Sequence, residues 1–284
     1  MRFNYLEPAT LKEAIGMLTK YNGRARIMAG GTDLMVQIRN KACSPEYVVD
    51  ISYIPGLDYI KSGKQGLKIG ALTPVRTVEK SDELARAYPV LCQAAALLGS
   101  VAIRNVGTIG GNLCNAAPSA DNAPSLIGLG AKAKITGPDG ERVVPMEEFF
   151  QGPGNTVLQT GELLTEIQVP VPAAGTKAVY MKHSRSAIDL AIVGVGVCLT
   201  LTDSTCQDAR IVLGAVAPTP MRAKKAEDLL KGKKLTAAVI EKSAQMAAEE
   251  ARPITDVRAS ADYRREIVKV LTRRAINQIL NPKS

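Results

Sequence analysis

The sequence predicts an α+β fold in two parts, and three observations carry that expectation. A capped helix and a strand running into a glycine pair open the chain, and helical and strand-like patterns then interleave as far as residue 169. Pro170-Val171-Pro172, followed by Ala173-Ala174-Gly175, interrupts the pattern and reads as a linker. Past it, three strand-like runs precede three helix-like ones, the order of a small separate α+β domain. With 284 residues and 46% apolar content, the chain has material for one elaborate domain or two.

In order along the chain, Thr10-Leu11-Lys12-Glu13 is a capping box, and Leu11, Ala14, Ile15 and Leu18 recur at helical spacing up to Tyr21. Arg24 to Met28 reads as a strand, Leu34 to Ile38 as a short helix and Tyr47 to Ile51 as a further strand. Tyr59-Ile60 and Leu67 to Ile69, with Gly63 and Gly66 between them, suggest a hairpin. Pro74 to Lys80 and Pro89 to Leu98 carry helical patterns, the second with proline at its first turn. Leu113 to Asp121 is small and polar and reads as a loop lining a ligand. Ala131 to Thr136, the turn at residues 137–140 and Arg142 to Pro145 form a hairpin. Leu163 to Val169 alternates as a strand. Lys177 to His183, Ala191 to Leu201 and Ala209 to Val216 are the strands of the second part, and helices start from Ala223, Thr236 and Ala259.

Composition excludes several kinds of chemistry. Three Phe, eight Tyr and no Trp give an aliphatic core and no stacking platform for single-stranded nucleic acid. The net charge of +9 includes late basic clusters such as Lys231, Lys233 and Lys234, but these alternate with Glu and Ala on predicted helices, the pattern of solvated faces rather than of a nucleic-acid footprint. The five cysteines are odd in number, widely spaced and without a C-x-x-C pair, which argues against a disulfide framework or a cysteine-held cluster. No apolar run approaches the ~18 residues of a membrane span, and a reduced cytoplasmic setting is expected. With His183 as the only histidine, a zinc site or a Ser-His-Asp triad has little to build with.

Two glycine-rich segments about 75 residues apart stand out: Ala29-Gly30-Gly31-Thr32-Asp33 and Gly107-Thr108-Ile109-Gly110-Gly111-Asn112. Glycine permits positive φ and close backbone approach, so successive N–H groups can converge on phosphate oxygens. Thr32, Thr108 and Asn112 add side-chain donors. The dinucleotide pattern G-x-G-x-x-G and the P-loop are both absent. The expectation is a split cradle for a phosphoanhydride, with amides supplied by both segments.

These two segments, with Asn115-Ala116-Ala117-Pro118-Ser119-Ala120-Asp121 after the second, resemble the flavoprotein subunit of molybdenum hydroxylases, the type found in carbon monoxide dehydrogenase medium subunits and bacterial xanthine dehydrogenase FAD subunits. The similarity spans essentially the whole chain and includes Gly214-Ala215-Val216-Ala217-Pro218-Thr219-Pro220-Met221-Arg222. It implies a p-cresol methylhydroxylase-type FAD-binding fold over residues 1–174, with subdomains of about 1–54 and 55–174. An α+β C-terminal domain, an antiparallel sheet with helices, follows over 175–284.

By the same resemblance Ile27, Met28, Ala29, Gly30, Gly31, Thr32, Asp33 and Leu34 meet the cofactor from one subdomain, and Thr108, Ile109, Gly110, Gly111 and Asn112 from the other. Asp121 matches an acidic position near the cofactor, where a carboxylate accepts bonds from ribose or ribityl hydroxyls. Its alternative is a turn or helix-cap aspartate before Asn122. Leu98 and Leu164 match apolar positions against the cofactor, or are plain core. Lys182 is a cation near the flavin or adenine end, or an exposed strand lysine. Leu190 stands where some relatives place an aromatic over the flavin.

The reading is therefore an electron-transfer subunit holding noncovalent FAD, with Cys114 a buried thiol. A molybdopterin-binding large subunit and a small [2Fe-2S] subunit are its partners, in a hetero-oligomer of the dimer-of-heterotrimers kind, and NAD+ or another acceptor takes the electrons. No catalytic residue, metal ligand or membrane span is expected in this chain. The alternatives are a free-standing flavin-dependent reductase or oxidase of the same fold, and a basic nucleic-acid or scaffold protein, which leaves both glycine segments unexplained.

Overall fold

The computed structural model describes residues 2–281. Its first unit contains strand β1 (Asn4–Leu6), helix α1 (Leu11–Lys20), β2 (Ala25–Met28), α2 (Leu34–Arg39) and β3 (Tyr47–Asp50). The three strands form a parallel sheet in the order β1-β3-β2. Thr10 caps α1, its hydroxyl accepting from the Glu13 amide at 3.2 Å. The Glu13 carboxylate reaches back to the amide of Ala9 at 2.8 Å. Ala14 and Leu18 then turn inward to pack with Val49, Ile51 and Ile54.

The second unit opens with the antiparallel hairpin β4 (Ile60–Gly63) and β5 (Gly66–Gly70). Six short helices follow: α3 (Val75–Lys80), α4 (Asp82–Ala87), α5 (Pro89–Ala96), α6 (Val101–Val106), α7 (Ile109–Cys114) and α8 (Asn122–Gly128). Then come β6 (Lys132–Gly137), β7 (Gly140–Pro145), the small pair β8 (Phe150–Gly152) and β9 (Asn155–Thr156), and β10 (Leu163–Val169). The main sheet is antiparallel, in the order β4-β5-β10-β6-β7. The expected hairpin at 131–145 is present, with Pro138 and Asp139 at its tip and Gly137 paired to Gly140.

The stretch 113–121, expected as a polar loop, is not one throughout. Leu113 is fully buried within α7, and Ala116 and Ala120 are buried in the same core as Ile109 and Leu126. Small residues there permit close packing, a role their polarity pattern did not show.

The third unit is an antiparallel sheet of β11 (Thr176–His183), β12 (Val193–Thr202), β13 (Thr205–Gly214) and β14 (Met221–Arg222), backed by α9 (Lys224–Leu230), α10 (Ala237–Glu250) and α11 (Ala261–Leu280). Thr236 and Ser260 cap α10 and α11. The second unit docks on this sheet through α8, whose residues are all buried. Pro124 presses on β12 and β13 so closely that a Cβ on Gly196 would lie 3.0 Å from the Pro124 carbonyl oxygen, and one on Gly214 would lie 3.1 Å from the proline ring. Burying Leu126 and Ile127 in this layer contributes about 1.5–3 kcal/mol each.

Candidate functional site

Where the three units meet they enclose a cavity of about 820 Å³, within the usual range of cofactor sites. Its walls come from the β2–α2 loop, the first turn of α7, the turn after α5, Asp121, the start of β10 and the long β11–β12 loop.

The two glycines of the β2–α2 loop serve different ends. Gly31 adopts φ +67°, the left-handed region that glycine enters without steric cost. Gly30 is needed for approach: a Cβ there would stand 2.1 Å from the carbonyl oxygen of Val106. The loop can therefore lie against the α6–α7 connection only because position 30 has no side chain. Among the described residues, no protein acceptor meets the amides of Gly30, Gly31, Thr32 or Asp33. Consecutive unpartnered N–H groups along a cavity wall are what an anion needs.

The second glycine segment corrects the expectation of a matching amide cradle. It is the first turn of α7, capped by Thr108, whose hydroxyl accepts from Gly111 N at 3.0 Å. Ile109 N donates to Thr73 at 3.0 Å, Gly110 N to Ala71 at 2.8 Å and Asn112 N to the Thr108 carbonyl at 3.0 Å. Every amide from Ile109 to Asn112 is thus taken, and neither glycine has positive φ. Gly110 is required for packing, since a Cβ there would meet the Ala71 carbonyl oxygen at 2.5 Å. Gly111 presents bare backbone towards the first segment, with Ala29 Cβ 4.0 Å from where its own Cβ would be. The gap between the segments is one that side chains would fill, and its free amides lie on one side.

Asp121 lines the cavity but its carboxylate is already engaged. It accepts from Tyr180 Oη at 2.8 Å and from Lys182 Nζ at 3.0 Å, and the residue is 4% exposed. It stands at the N-cap position of α8 without making a side-chain cap bond, so the helix-cap alternative does not hold. Burial pushes its carboxyl above the ordinary range, and Lys182 and Tyr180 pull in the opposite direction. Lys182 is not an exposed strand lysine. Its ammonium is buried and is shared between Asp121 and the carbonyl of Leu97, 2.8 Å away.

Of the residues expected at the site, Met28, Ile109 and Lys182 do not reach the cavity wall, and the others line it. Ile109 is core, and Met28 packs under Gly31. Leu98 and Leu164 are both core and cavity wall. Leu190 and Ile188 line the mouth while remaining largely exposed. Cys114 also borders the cavity, and burial pushes its thiol up to about 12, which keeps it protonated at neutral pH. Tyr180 was missed because its partner is 59 positions away.

Residues 1–172 match the family model described as FAD binding domain in molybdopterin dehydrogenase. Residues 178–279 match the CO dehydrogenase flavoprotein C-terminal domain. The chain is similar to the glyceraldehyde dehydrogenase medium chain of Sulfolobus acidocaldarius, 35% identical over 98% of each chain. It is equally similar to the carbon monoxide dehydrogenase medium chain of Afipia carboxidovorans, 35% identical over 97% of this chain and 96% of that one. Among solved structures it resembles the carbon monoxide dehydrogenase of Hydrogenophaga pseudoflava that lacks the Mo-pyranopterin moiety of its molybdenum cofactor. That match has a TM-score of 0.96 at 34% identity and covers 99% of this chain and 98% of the other.

Proposed function

This chain belongs to the FAD-binding subunits of molybdopterin dehydrogenases, and on that premise we propose that it collects electrons from [2Fe-2S] clusters of a partner subunit and delivers them through FAD to NAD+ or another acceptor. The observation that carries the assignment of the cavity is the run of unpartnered amides at residues 30–33, in a loop that lines the cavity together with Gly111. These amides hold the diphosphate, and the hydroxyl of Thr32 and the side-chain amide of Asn112 add donors. Asn112 is pre-oriented, since its Oδ1 accepts from Asn122 Nδ2 at 3.0 Å. Leu98 and Leu164 give the ring system an apolar wall. Asp121, fixed by two donors, keeps lone pairs for cofactor hydroxyls. FAD, when bound, supplies the exchange of electron pairs and single electrons. The protein's part is binding, orientation and exclusion of water.

The molybdopterin belongs to a large subunit and the iron–sulfur clusters to a small one, in a cytoplasmic assembly of the dimer-of-heterotrimers kind. Two relatives named as medium chains support that division of labour. No helix among the described residues is long and apolar enough to cross a membrane. The cofactor domain runs to residue 174, its subdomains meeting near residue 54, and the C-terminal domain begins at 175.

The test is direct. The purified chain, titrated with FAD, should quench flavin fluorescence to a defined endpoint, and anaerobic NADH should then bleach the bound flavin if NAD+ is the acceptor. Absence of binding would overturn the assignment of the cavity. Binding without bleaching would move the acceptor to another class.

A further inference from the structure

The turn Leu97-Leu98-Gly99 closes α5 and contributes Leu98 and Gly99 to the cavity wall, and two buried cations hold it. Lys182 Nζ, from the C-terminal domain, donates to the Leu97 carbonyl at 2.8 Å. Arg104 Nη1, from α6, donates to the carbonyls of Leu98 at 3.0 Å and Gly99 at 2.9 Å. Each cation has a carboxylate partner. Lys182 pairs with Asp121, and Arg104 Nε pairs with Glu79 Oε2 at 2.7 Å. The carbonyls at a helix C-terminus carry partial negative charge, so a cation belongs at that of the cap residue Leu97. Gly99 adopts φ +48°, a conformation that turns the chain sharply from α5 into α6.

The arrangement is costly. Helix α6 buries its one charged residue, Arg104 (7% exposed), and leaves Val101, Ile103 and Val106 at 47%, 39% and 55% exposed. A helix selected only for its own stability would bury the three apolar side chains and hydrate the guanidinium, because taking a charge out of water is unfavourable unless it is fully paired. Arg104 is engaged through Nε and Nη1, and apart from Glu79 what it engages is the cavity wall. It does not itself border the cavity, whereas Leu98, Gly99 and Ile103, which it holds or accompanies, all do.

We propose that Arg104 is a positioning residue for the cofactor, acting through the Leu98–Gly99 wall, with Glu79 orienting its guanidinium. The proposal rests on the reading of the cavity as the FAD site. Arg104→Met leaves Glu79 with Arg76, whose Nη1 is already 2.7 Å from Glu79 Oε1, so the carboxylate is not orphaned. The dissociation constant for FAD should rise at least tenfold in Arg104→Met, and the visible circular dichroism of the bound flavin should change, because the ring then meets a displaced wall. Leu98→Ala should cost less affinity in the Arg104→Met background than in the wild type, the mark of residues acting through one another.

If Arg104→Met does not fold, Arg104→Lys carries the test. A single ammonium cannot span two carbonyls and Glu79 as the guanidinium fork does, so affinity should fall at least threefold, with the same spectral change. Wild-type affinity and dichroism in whichever variant is folded would overturn the proposal, as would full additivity with Leu98→Ala. A wild-type chain that takes up no FAD would remove the reading of the cavity as well, so the two failures are distinguishable.

Discussion

Gly30→Ala should impair FAD binding although it adds only a methyl group. In the structure the new Cβ would lie 2.1 Å from the Val106 carbonyl oxygen, 2.7 Å from the Val106 carbonyl carbon and 2.8 Å from Gly107 Cα. All three are backbone atoms, so no flexible side chain can yield. The β2–α2 loop must retreat by roughly 1 Å or more to restore an ordinary separation of about 3.5 Å. That retreat displaces the free amides of residues 30–33 within the cavity wall. Hydrogen bonds to a charged acceptor contribute about 1.5–3 kcal/mol each, so loss of a single amide weakens binding by roughly 10- to 100-fold at about 1.4 kcal/mol per decade, and loss of a second multiplies that again.

Gly16→Ala serves as the control. Its Cβ would meet nothing within 4 Å inside helix α1, and it should stabilise the chain slightly, by up to ~1 kcal/mol, without touching affinity. The assay is fluorescence titration of FAD into each apo chain at a temperature where melting curves show it folded. A folded Gly30→Ala chain with wild-type affinity would refute the view that the loop's amides form the anion site.

Other expectations follow from the same geometry. Asp121→Ala should weaken FAD binding by about one to two decades and lower the melting temperature of the apo chain, because it leaves Lys182 buried without its carboxylate; an unchanged dissociation constant would restrict Asp121 to the domain contact. Gly196→Val places a branched side chain against the Pro124 carbonyl, and should separate the C-terminal sheet from α8, seen as faster proteolysis at residues 170–175. Arg142, in a two-pronged ion pair, holds the Glu162 carboxyl below its ordinary value. Its contribution is complete above pH 4.5 and fades as pH falls through the folded value. The melting-temperature deficit of Glu162→Gln should therefore be largest near neutrality and shrink below pH 4.5, and a deficit that grew on acidification would contradict the sign.

Much of the fold was legible because its signals are local. Thr10 and Glu13, Thr236 and Ser260 mark helix starts by their own hydrogen bonds, and Gly137 to Gly140 marks a hairpin by its turn chemistry. The α6–α7 region was not legible in the same way. Adjacent glycines at 110 and 111 read as half of an amide cradle, yet a capping threonine and the packing of Gly110 on Ala71 make them the first turn of a helix. The glycine pairs drew attention to the right places but could not say which glycine serves packing and which serves conformation, because that depends on Val106 and Ala71, far off in sequence. The bonds of Asp121 to Tyr180 and Lys182 span 59 and 61 positions. No periodicity encodes such pairs, so the carboxylate looked free for a ligand when two of its bonds were already spoken for.

The central claim is that electrons leave the assembly only through FAD held by this chain. The measurement is anaerobic rapid mixing of the native complex, with and without its FAD, against the oxidisable substrate and then the acceptor. Removal of FAD should leave substrate-driven bleaching of the iron–sulfur absorbance intact and abolish reduction of the acceptor, with FAD restoring it. Acceptor reduction at the full rate in the FAD-free complex would contradict the account.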